Sequence, residues 1–280
     1  MTFTIRPMGE HIGGECVGLD AARATSEDVE GLKRALADVG VVVLREQRLS
    51  PGVLREFGAR FGRVETPIRD RFKVPGQEDV YVISNIVENG KPIGNPNDGF
   101  GWHTDQSYMH EPTAYTFLYG VETPAEGADT QFATGFKAYD DLTAEERERF
   151  SKMTAVHSLR RIQADRTWDL PLTSAELGRA PDVEHPIVRT HPLTGRRALY
   201  LGTKRGCYPV GIAEPERHAF LDEMVGRCTK PGYVYSHRWR PNDLVIWDNR
   251  GLLHRATEYD RQKYRRLMHR VSVTGERPYL

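Results

Sequence analysis

The sequence Gly101-Trp102-His103-Thr104-Asp105 contains an imidazole and a carboxylate two positions apart. Strand-forming residues follow it, and we expect the pair to lie at the start of a β-strand. Residues i and i+2 of a strand point to the same face, so His103 and Asp105 would contact one ion from one backbone segment. Taken alone the pair is a weak signal, because His-x-Asp also occurs by chance in exposed turns.

A second histidine from elsewhere in the chain would complete a metal site. His254 is the candidate, because it closely follows the sequence Trp247-Asp248-Asn249-Arg250. Two imidazoles and one carboxylate, with the other positions around the ion left open, are the ligand set of non-haem Fe(II) oxygenases. His103 and His254 lie far apart in the chain, and a jelly roll would unite them because its early and late strands are neighbours.

The size and charge of the chain narrow the choice of partners. Its 280 residues are enough for a substantial core, and we expect one domain spanning 1–280. Lys plus Arg and Asp plus Glu both number 39, so no global field attracts nucleic acid or an anionic membrane. We therefore expect neither as a partner.

The three cysteines and the N-terminus bear on location. Cys16, Cys207 and Cys228 are scattered without Cys-x-x-Cys spacing, which argues against a structural zinc site and a disulfide framework. The first residues lack the apolar core of a signal peptide, and no apolar run approaches the length that spans a bilayer. We expect a cytoplasmic protein.

The periodicity of the chain predicts a mainly β fold with flanking helices. Helices are predicted after the caps Thr25 or Ser26 and Ser50, after the capping box Thr143-x-x-Glu146, and from Glu214. Many short strands with irregular turns favour a sandwich or barrel over a doubly wound sheet. We expect a cupin-like double-stranded β-helix, or jelly roll, and its strand candidates are 41–44, 80–84, 114–121, 130–133, 156–159, 187–189, 198–201, 233–239, 243–247 and 267–273.

Two further stretches are candidates for ligand binding. Residues 63–101 are rich in Gly, Pro, Asn and charge, and a long polar connection before candidate ligands is typical of a lid or substrate loop. In the stretch 265–270, Arg266 and Arg270 share one face of a predicted strand. Guanidinium groups pointing into a barrel favour bidentate binding of a carboxylate or sulfonate. The alternative is a structural ion pair, for example between Arg270 and Asp248.

Taken together, the chain resembles the taurine dioxygenase and 2,4-dichlorophenoxyacetate dioxygenase family of Fe(II)/2-oxoglutarate oxygenases. The matching stretches occur in the order of the family and cover nearly the whole chain. They are residues 12–20, 102–105, 127–130, 247–250 with His254, and 265–270.

The resemblance implies specific roles for residues of this chain. It implies Fe(II) bound by His103, Asp105 and His254, with 2-oxoglutarate and O2 as co-substrates. It further implies that Arg266 pairs with the distal carboxylate of 2-oxoglutarate, assisted by the Thr130 hydroxyl. Arg270 matches the position that binds the acidic group of the substrate. Relatives are commonly dimers or tetramers, so the resemblance also implies a homodimer or homotetramer.

The sequence also departs from taurine dioxygenase. The interval from His254 to Arg266 is one residue longer, so the choice of Arg266 over Arg265 rests on strand alternation. The substrate-binding histidine and tyrosine of taurine dioxygenase are replaced, approximately by Thr66 and Arg69. We therefore expect another small organic anion as substrate, such as an aryloxyalkanoate, another carboxylate or a sulfonate, with Arg69 as a second contact.

Two other functions are compatible with the same residues. One is a jelly-roll metalloenzyme that carries out lyase or isomerase chemistry with another metal and without O2. The other is a non-catalytic module that binds a small ligand. Release of succinate in the presence of Fe(II) would exclude the first, and any turnover would exclude the second.

Overall fold

A computed structural model describes residues 3–97, 99–164 and 171–280 of the chain. The helices are α1 (Ser26–Val39), α2 (Pro51–Ala59), α3 (Gly135–Asp140), α4 (Ala144–Ser151), α5 (Leu159–Ala164), α6 (Ser174–Gly178) and α7 (Glu216–Cys228). The strands are β1 (Thr4–Pro7), β2 (Gly14–Val17), β3 (Val41–Leu44), β4 (Lys73–Val74), β5 (Gln77–Ser84), β6 (Val87–Glu88), β7 (Lys91–Pro92), β8 (Thr113–Glu122), β9 (Thr130–Thr134), β10 (Thr154–His157), β11 (Val183–Pro186), β12 (Val188–Thr190), β13 (Arg197–Leu199), β14 (Cys207–Pro209), β15 (Val234–His237), β16 (Leu244–Asp248), β17 (Leu252–Ala256) and β18 (Leu267–Thr274).

An eight-stranded sheet forms one layer, in the order β1-β2-β3-β16-β8-β18-β5-β4. Every residue of β3 and β16 is buried, as continuous runs of apolar residues predict for strands covered on both faces. Strand β18 is antiparallel to both β8 and β5, so it lies well inside the sheet. Strands from both ends of the sequence are therefore neighbours at the centre.

The first two helices cover the outer face of this sheet. Thr25 caps α1 with a capping box, and Ser50 caps α2 with Pro51 at the first helical position, as the sequence predicts. Leu32 of α1 and Phe57 of α2 belong to one buried cluster with sheet residues. Burial of this apolar face, rather than helix propensity alone, stabilises the two helices.

A three-stranded sheet, β15-β9-β17, forms the opposing layer. Phe132 of β9 and Trp247 of β16 meet between the two sheets, with ring centroids 5.3 Å apart. The two layers and the outer helices give the mainly β architecture that the sequence predicts. The architecture places β17, which carries His254, opposite the large sheet.

Residues between β9 and β15 add a second buried cluster beside this core. Ala133 of β9 and Leu253 of β17 join it to the three-stranded sheet. Strand β10 ends at His157 and Leu159 begins α5, so the strand predicted over 156–159 is too long at its C-terminal end. In the described ranges, none of the helices combines the length and the apolar character needed to cross a bilayer.

Candidate metal centre and adjoining cavity

The backbones of His103 and His254 form an antiparallel bridge. Each amide donates to the carbonyl of the other residue, with N–O distances of 3.0 and 2.9 Å. The bridge sets the two imidazoles side by side, with ring centroids 4.2 Å apart. Two residues remote in sequence are thus joined by the main chain and not only by side-chain packing.

Asp105 reaches the same point through a turn. The chain leaves the extended conformation after His103, and Gln106 adopts a positive φ of 47°. Strand β8 begins only at Thr113, so the prediction that His103 and Asp105 start one strand is wrong. The turn, not a shared strand face, aims the Asp105 carboxylate at the imidazoles.

The three side chains fit a single metal ion. Asp105 Oδ1 lies 3.8 Å from His103 Nε2, and Asp105 Oδ2 lies 3.6 Å from His254 Nε2. Candidate ligand atoms of the three residues all lie within 4.8 Å of one another. An ion about 2.0–2.2 Å from each donor requires separations of this order. Two imidazoles and one carboxylate suit Fe(II) with positions left open for other ligands.

The carboxyl group of Asp105 is held in its ionised form. Burial by itself would raise its pKa, but the His254 imidazole, the Arg270 guanidinium and His103 together lower it. Since a carboxylate must be deprotonated to bind a metal, this environment prepares Asp105 as a ligand.

A buried hydrogen-bond network fixes the position of Asp105. The Thr116 hydroxyl donates to Asp105 Oδ2 at 2.7 Å, and the Asp105 amide donates to Asn249 Oδ1 at 3.2 Å. Asn249 Nδ2 donates to the Thr116 hydroxyl at 2.9 Å, and Trp247 Nε1 donates to Asn249 Oδ1 at 3.1 Å. Neither Thr116 nor Asn249 has a role predicted from the sequence, although Asn249 lies within the motif 247–250.

The carboxylate of Asp105, and not that of Asp248, is the nearer of the two to Arg270. Asp248 accepts hydrogen bonds from Arg250 Nε at 2.7 Å and from His191 Nε2 at 3.0 Å. Arg270 Nη1 instead lies 3.9 Å from Asp105 Oδ1, and its guanidinium lies over the Tyr81 ring. The structural pair between Arg270 and Asp248 is therefore not formed.

Arg265 and Arg266 differ in burial, but both precede β18, which begins at Leu267, so the prediction that Arg266 lies on a strand with Arg270 is wrong. The Arg265 side chain is exposed and pairs with Glu122 at 2.8 Å, whereas Arg266 is buried. Thr130 is also buried, and its hydroxyl accepts a hydrogen bond from Trp239 Nε1 at 3.0 Å. Having accepted that bond, the hydroxyl retains its own hydrogen for donation.

A cavity opens beside His103 and Asp105 and contains about 1050 Å³ of space between protein atoms, part of it open to solvent. Arg270 and Arg69 line it, but in the described part of the chain Arg266 and Thr130 are not among its lining residues. Its walls combine charged groups with apolar side chains. The apolar side chains include Pro67, Ile68, Phe100, Leu159, Ile162 and Leu172.

Part of the stretch 63–101 forms one wall of the cavity. Arg179 holds this wall by donating to the carbonyls of Ile68 at 3.2 Å and Pro67 at 3.2 Å. The Asp70 amide donates to Glu176 Oε1 at 2.8 Å. The middle of the stretch is not a loop, because it contains β5, which belongs to the eight-stranded sheet. Asp98 lies outside the described residues.

The fold and the site together define a jelly-roll enzyme with a two-histidine, one-carboxylate metal centre. The family model described as taurine catabolism dioxygenase TauD, TfdA family matches residues 4–272. The chain belongs to this family. Its members use Fe(II), 2-oxoglutarate and O2, and the chain is a 2-oxoglutarate-dependent dioxygenase, as the sequence predicts.

Curated relatives extend over nearly the full chain. Pentalenolactone F synthase of Streptomyces arenae is 30% identical over 279 residues, covering 95% of this chain and 92% of the relative. The alpha-ketoglutarate-dependent 2,4-dichlorophenoxyacetate dioxygenase of Cupriavidus pinatubonensis is 31% identical over 265 residues, covering 89% of each. These relatives are named for different compounds, one for its product and one for its substrate, so overall similarity alone leaves the substrate of this chain open.

Solved structures agree with the fold. The crystal structure of AAD-2 in complex with Mn(II) and N-oxalylglycine is 27% identical, with a TM-score of 0.83 and complete coverage of both chains. A taurine dioxygenase from Burkholderia xenovorans is 28% identical, with a TM-score of 0.82 over 99% of this chain and 91% of its own. The jelly-roll prediction is confirmed.

Proposed function

We propose that this chain oxidises a small organic anion at an Fe(II) ion bound by His103, Asp105 and His254. The observation that carries the proposal is that two of the three candidate metal ligands, His103 and Asp105, line the same cavity as an arginine. Arg270 Nη1 lies 3.9 Å from Asp105 Oδ1, and both residues line the cavity. An anion held by Arg270 would therefore lie next to the metal.

Arg270 and Arg69 are the proposed contacts of the substrate anion. A planar guanidinium binds a carboxylate or sulfonate through two parallel hydrogen bonds. The Arg69 side chain is half-buried, and its Nη2 lies 3.4 Å from Oε1 of Gln163, which also lines the cavity. The apolar residues Ile68 and Leu172 provide a surface for the carbon skeleton of the substrate.

Arg266 and Thr130 are the proposed contacts of the distal carboxylate of 2-oxoglutarate. Both are buried, which strengthens a charge-assisted hydrogen bond to an anion. The bound ion and its co-substrates supply the oxidising chemistry, in which 2-oxoglutarate becomes succinate and CO2. The protein orients the substrate and limits the access of water.

The substrate class follows from the relatives and the cavity. The names of relatives include dioxygenases of 2,4-dichlorophenoxyacetate and (S)-phenoxypropionate, which are aryloxyalkanoates, and of sulfonates. For this chain we propose an aryloxyalkanoate, another carboxylate or a sulfonate, hydroxylated on a carbon near its acidic group. A hydroxylated carbon bonded to oxygen, nitrogen or sulfur collapses with cleavage of that bond.

We propose a single domain over 1–280 in which the cavity wall within 63–101 acts as a lid over the bound substrate. Arg179 and Glu176 support this role because they dock residues 67–70 against the segment that carries α6. We also propose a cytoplasmic homodimer or homotetramer.

Succinate formation tests the proposed function. The purified chain is loaded with Fe(II) anaerobically, then exposed to O2 with 2-oxoglutarate and a panel of aryloxyalkanoates, simple carboxylates and sulfonates. We expect succinate in proportion to oxidised product for at least one acid, and no succinate from His254→Ala. Succinate formation that depends on neither Fe(II) nor His254 would contradict the proposal.

A further inference from the structure

We propose that Glu65 determines substrate specificity by accepting a hydrogen bond from an ammonium or hydroxyl group of the substrate. The substrate would then be an organic acid that also carries a hydrogen-bond donor. This inference rests on the proposed function, because it assumes that Arg270 binds the acidic group in the same cavity. It assigns a role to a residue that sequence reasoning did not single out.

The backbone places Glu65 beside Arg270. The Glu65 amide donates to the Ser272 carbonyl at 2.9 Å. Ser272 lies two residues after Arg270 on β18, so their side chains share the strand face that points into the cavity. All three residues line the cavity next to Asp105. A cation and an acid therefore stand side by side in the wall that faces the metal.

Two hydrogen-bond donors orient the Glu65 carboxylate, and the carboxylate can accept further hydrogen bonds. The Thr113 hydroxyl lies 3.1 Å from each carboxylate oxygen, and Gln106 Nε2 donates to Oε2. Gln106 reaches Glu65 because its positive φ turns the side chain back after Asp105. An ionised carboxylate accepts about four hydrogen bonds. Among the described residues, Thr113 and Gln106 are the side chains that donate to Glu65.

The charged groups of the cavity favour a substrate that carries a hydrogen-bond donor as well as an acidic group. Burial raises the pKa of Glu65 to about 7, because removal from water penalises the ionised form. Above about pH 7, where Glu65 is ionised, a substrate anion that takes up Arg270 would stand beside the negative charge of Glu65. An ammonium or hydroxyl group on the same substrate converts that repulsion into a hydrogen bond, whereas a purely apolar tail leaves Glu65 desolvated and facing an anion.

Binding to an unreactive complex tests the inference. The chain is loaded with Mn(II) and N-oxalylglycine, and calorimetry measures the Kd of matched acids of three to six carbons. Each carboxylate or sulfonate is compared in three forms, with a terminal methyl, hydroxyl or ammonium group. We expect some donor-bearing acid to bind about tenfold or more tightly than its methyl counterpart.

Variants separate the proposed role from a structural one. Glu65→Gln keeps the shape and an acceptor oxygen but loses the charge, so we expect the preference for ammonium to fall about tenfold and that for hydroxyl to fall less. Glu65→Asp keeps the charge, and we expect it to retain the order of preference. Glu111→Gln, which removes an exposed carboxylate paired with Arg63, serves as the charge-matched control.

The possible results are distinct. If methyl-terminated acids bind as tightly as the matched hydroxyl- and ammonium-terminated acids, or if no acid of the series binds, the inference is wrong. If Glu65→Gln instead tightens the binding of methyl-terminated acids, Glu65 is only a counter-ion of Arg270. Formation of succinate by the Fe(II) form without the donor preference would overturn this inference and leave the proposed function standing.

Discussion

The Thr116 hydroxyl donates a 2.7 Å hydrogen bond to Oδ2 of Asp105, and both groups are buried. Thr116 comes from the middle of β8, whereas Asp105 lies in the turn before that strand. The bond therefore connects the turn that carries Asp105 to a buried strand of the eight-stranded sheet. The Asn249 side chain links the same two residues, because it accepts a hydrogen bond from the Asp105 amide and donates one to the Thr116 hydroxyl.

Replacing Thr116 tests whether its hydrogen bond to Asp105 supports metal binding. Thr116→Val keeps the shape and removes the donor, so Asp105 loses its anchor while the triad remains. Loss of such a supporting hydrogen bond typically costs about 10- to 100-fold in metal affinity or activity. We expect the affinity for Mn(II), measured by calorimetry, to fall by about tenfold with a smaller effect on the KM for 2-oxoglutarate. Thr154→Val, on β10 and outside the cavity, is the control, and an unchanged Mn(II) affinity in Thr116→Val would refute the role.

Arg266 and Arg270 provide a second prediction, because they are proposed to bind different anions. Arg270→Ala is expected to raise the substrate KM by tenfold or more with little change in the KM for 2-oxoglutarate, and Arg266→Ala is expected to do the reverse. Steady-state succinate formation with each compound varied in turn measures both constants. Arg265→Ala, which removes the exposed neighbour, is the matched control. Equal effects of both variants on both constants would rule out separate roles.

The lid proposal gives a third prediction through Arg179. Its guanidinium donates to the carbonyls of Thr66, Pro67 and Ile68, so Arg179→Ala removes hydrogen bonds that hold the cavity wall. We expect faster proteolytic cleavage near residues 66–70 and a several-fold higher substrate KM, with global unfolding shifted by about 1 kcal/mol or less.

Arg34→Ala, on the exposed surface of α1, is the control for the loss of one positive charge. Limited proteolysis followed by mass spectrometry locates the cleavage sites. Cleavage at an unchanged rate, together with an unchanged substrate KM, would show that the wall is held without Arg179.

Local patterns predict much of this fold. The caps at Thr25, Ser50 and Thr143 all form as expected, because each satisfies amide groups that a helix start leaves unpaired. Continuous apolar runs likewise identify β3 and β16 as buried strands. These features depend on neighbouring residues, which is why sequence alone is sufficient.

The geometry of the site depends on contacts between remote residues and is less predictable. The His103–His254 bridge and the turn at Asp105 join residues that are remote in sequence or leave the extended conformation. The three predicted ligands do come together, but the strand predicted to carry His103 and Asp105 is absent from the described residues. Glu65 and Thr116 lie in stretches without a motif, and only their positions in space reveal their contacts. A polar residue predicted inside a barrel strand is the signal that could have identified Thr116.

The buried imidazole of His157 gives a last prediction, about acid stability. His157 is 1% exposed, and neither ring nitrogen has a hydrogen-bond partner among the described residues. Burial, reinforced by the nearby His185, lowers the pKa of His157 to about 3, whereas an unfolded chain titrates histidine near 6.5. Between these two values the unfolded chain binds a proton that the native protein does not. The free energy of unfolding is therefore unaffected by this group above about pH 6.5 and decreases as the pH falls towards 3.

His157→Phe replaces the ring with one that cannot be protonated. We expect the dependence of the free energy of unfolding on pH to weaken by up to about 1.4 kcal/mol per pH unit between pH 6 and 4. Urea unfolding of the metal-free protein at several pH values measures that slope. His110→Gln, at an exposed position, is the control for the loss of one histidine. A wild-type slope in His157→Phe would mean that His157 is already protonated in the native protein, which its buried surroundings oppose, because a charge there would lack both water and a paired anion.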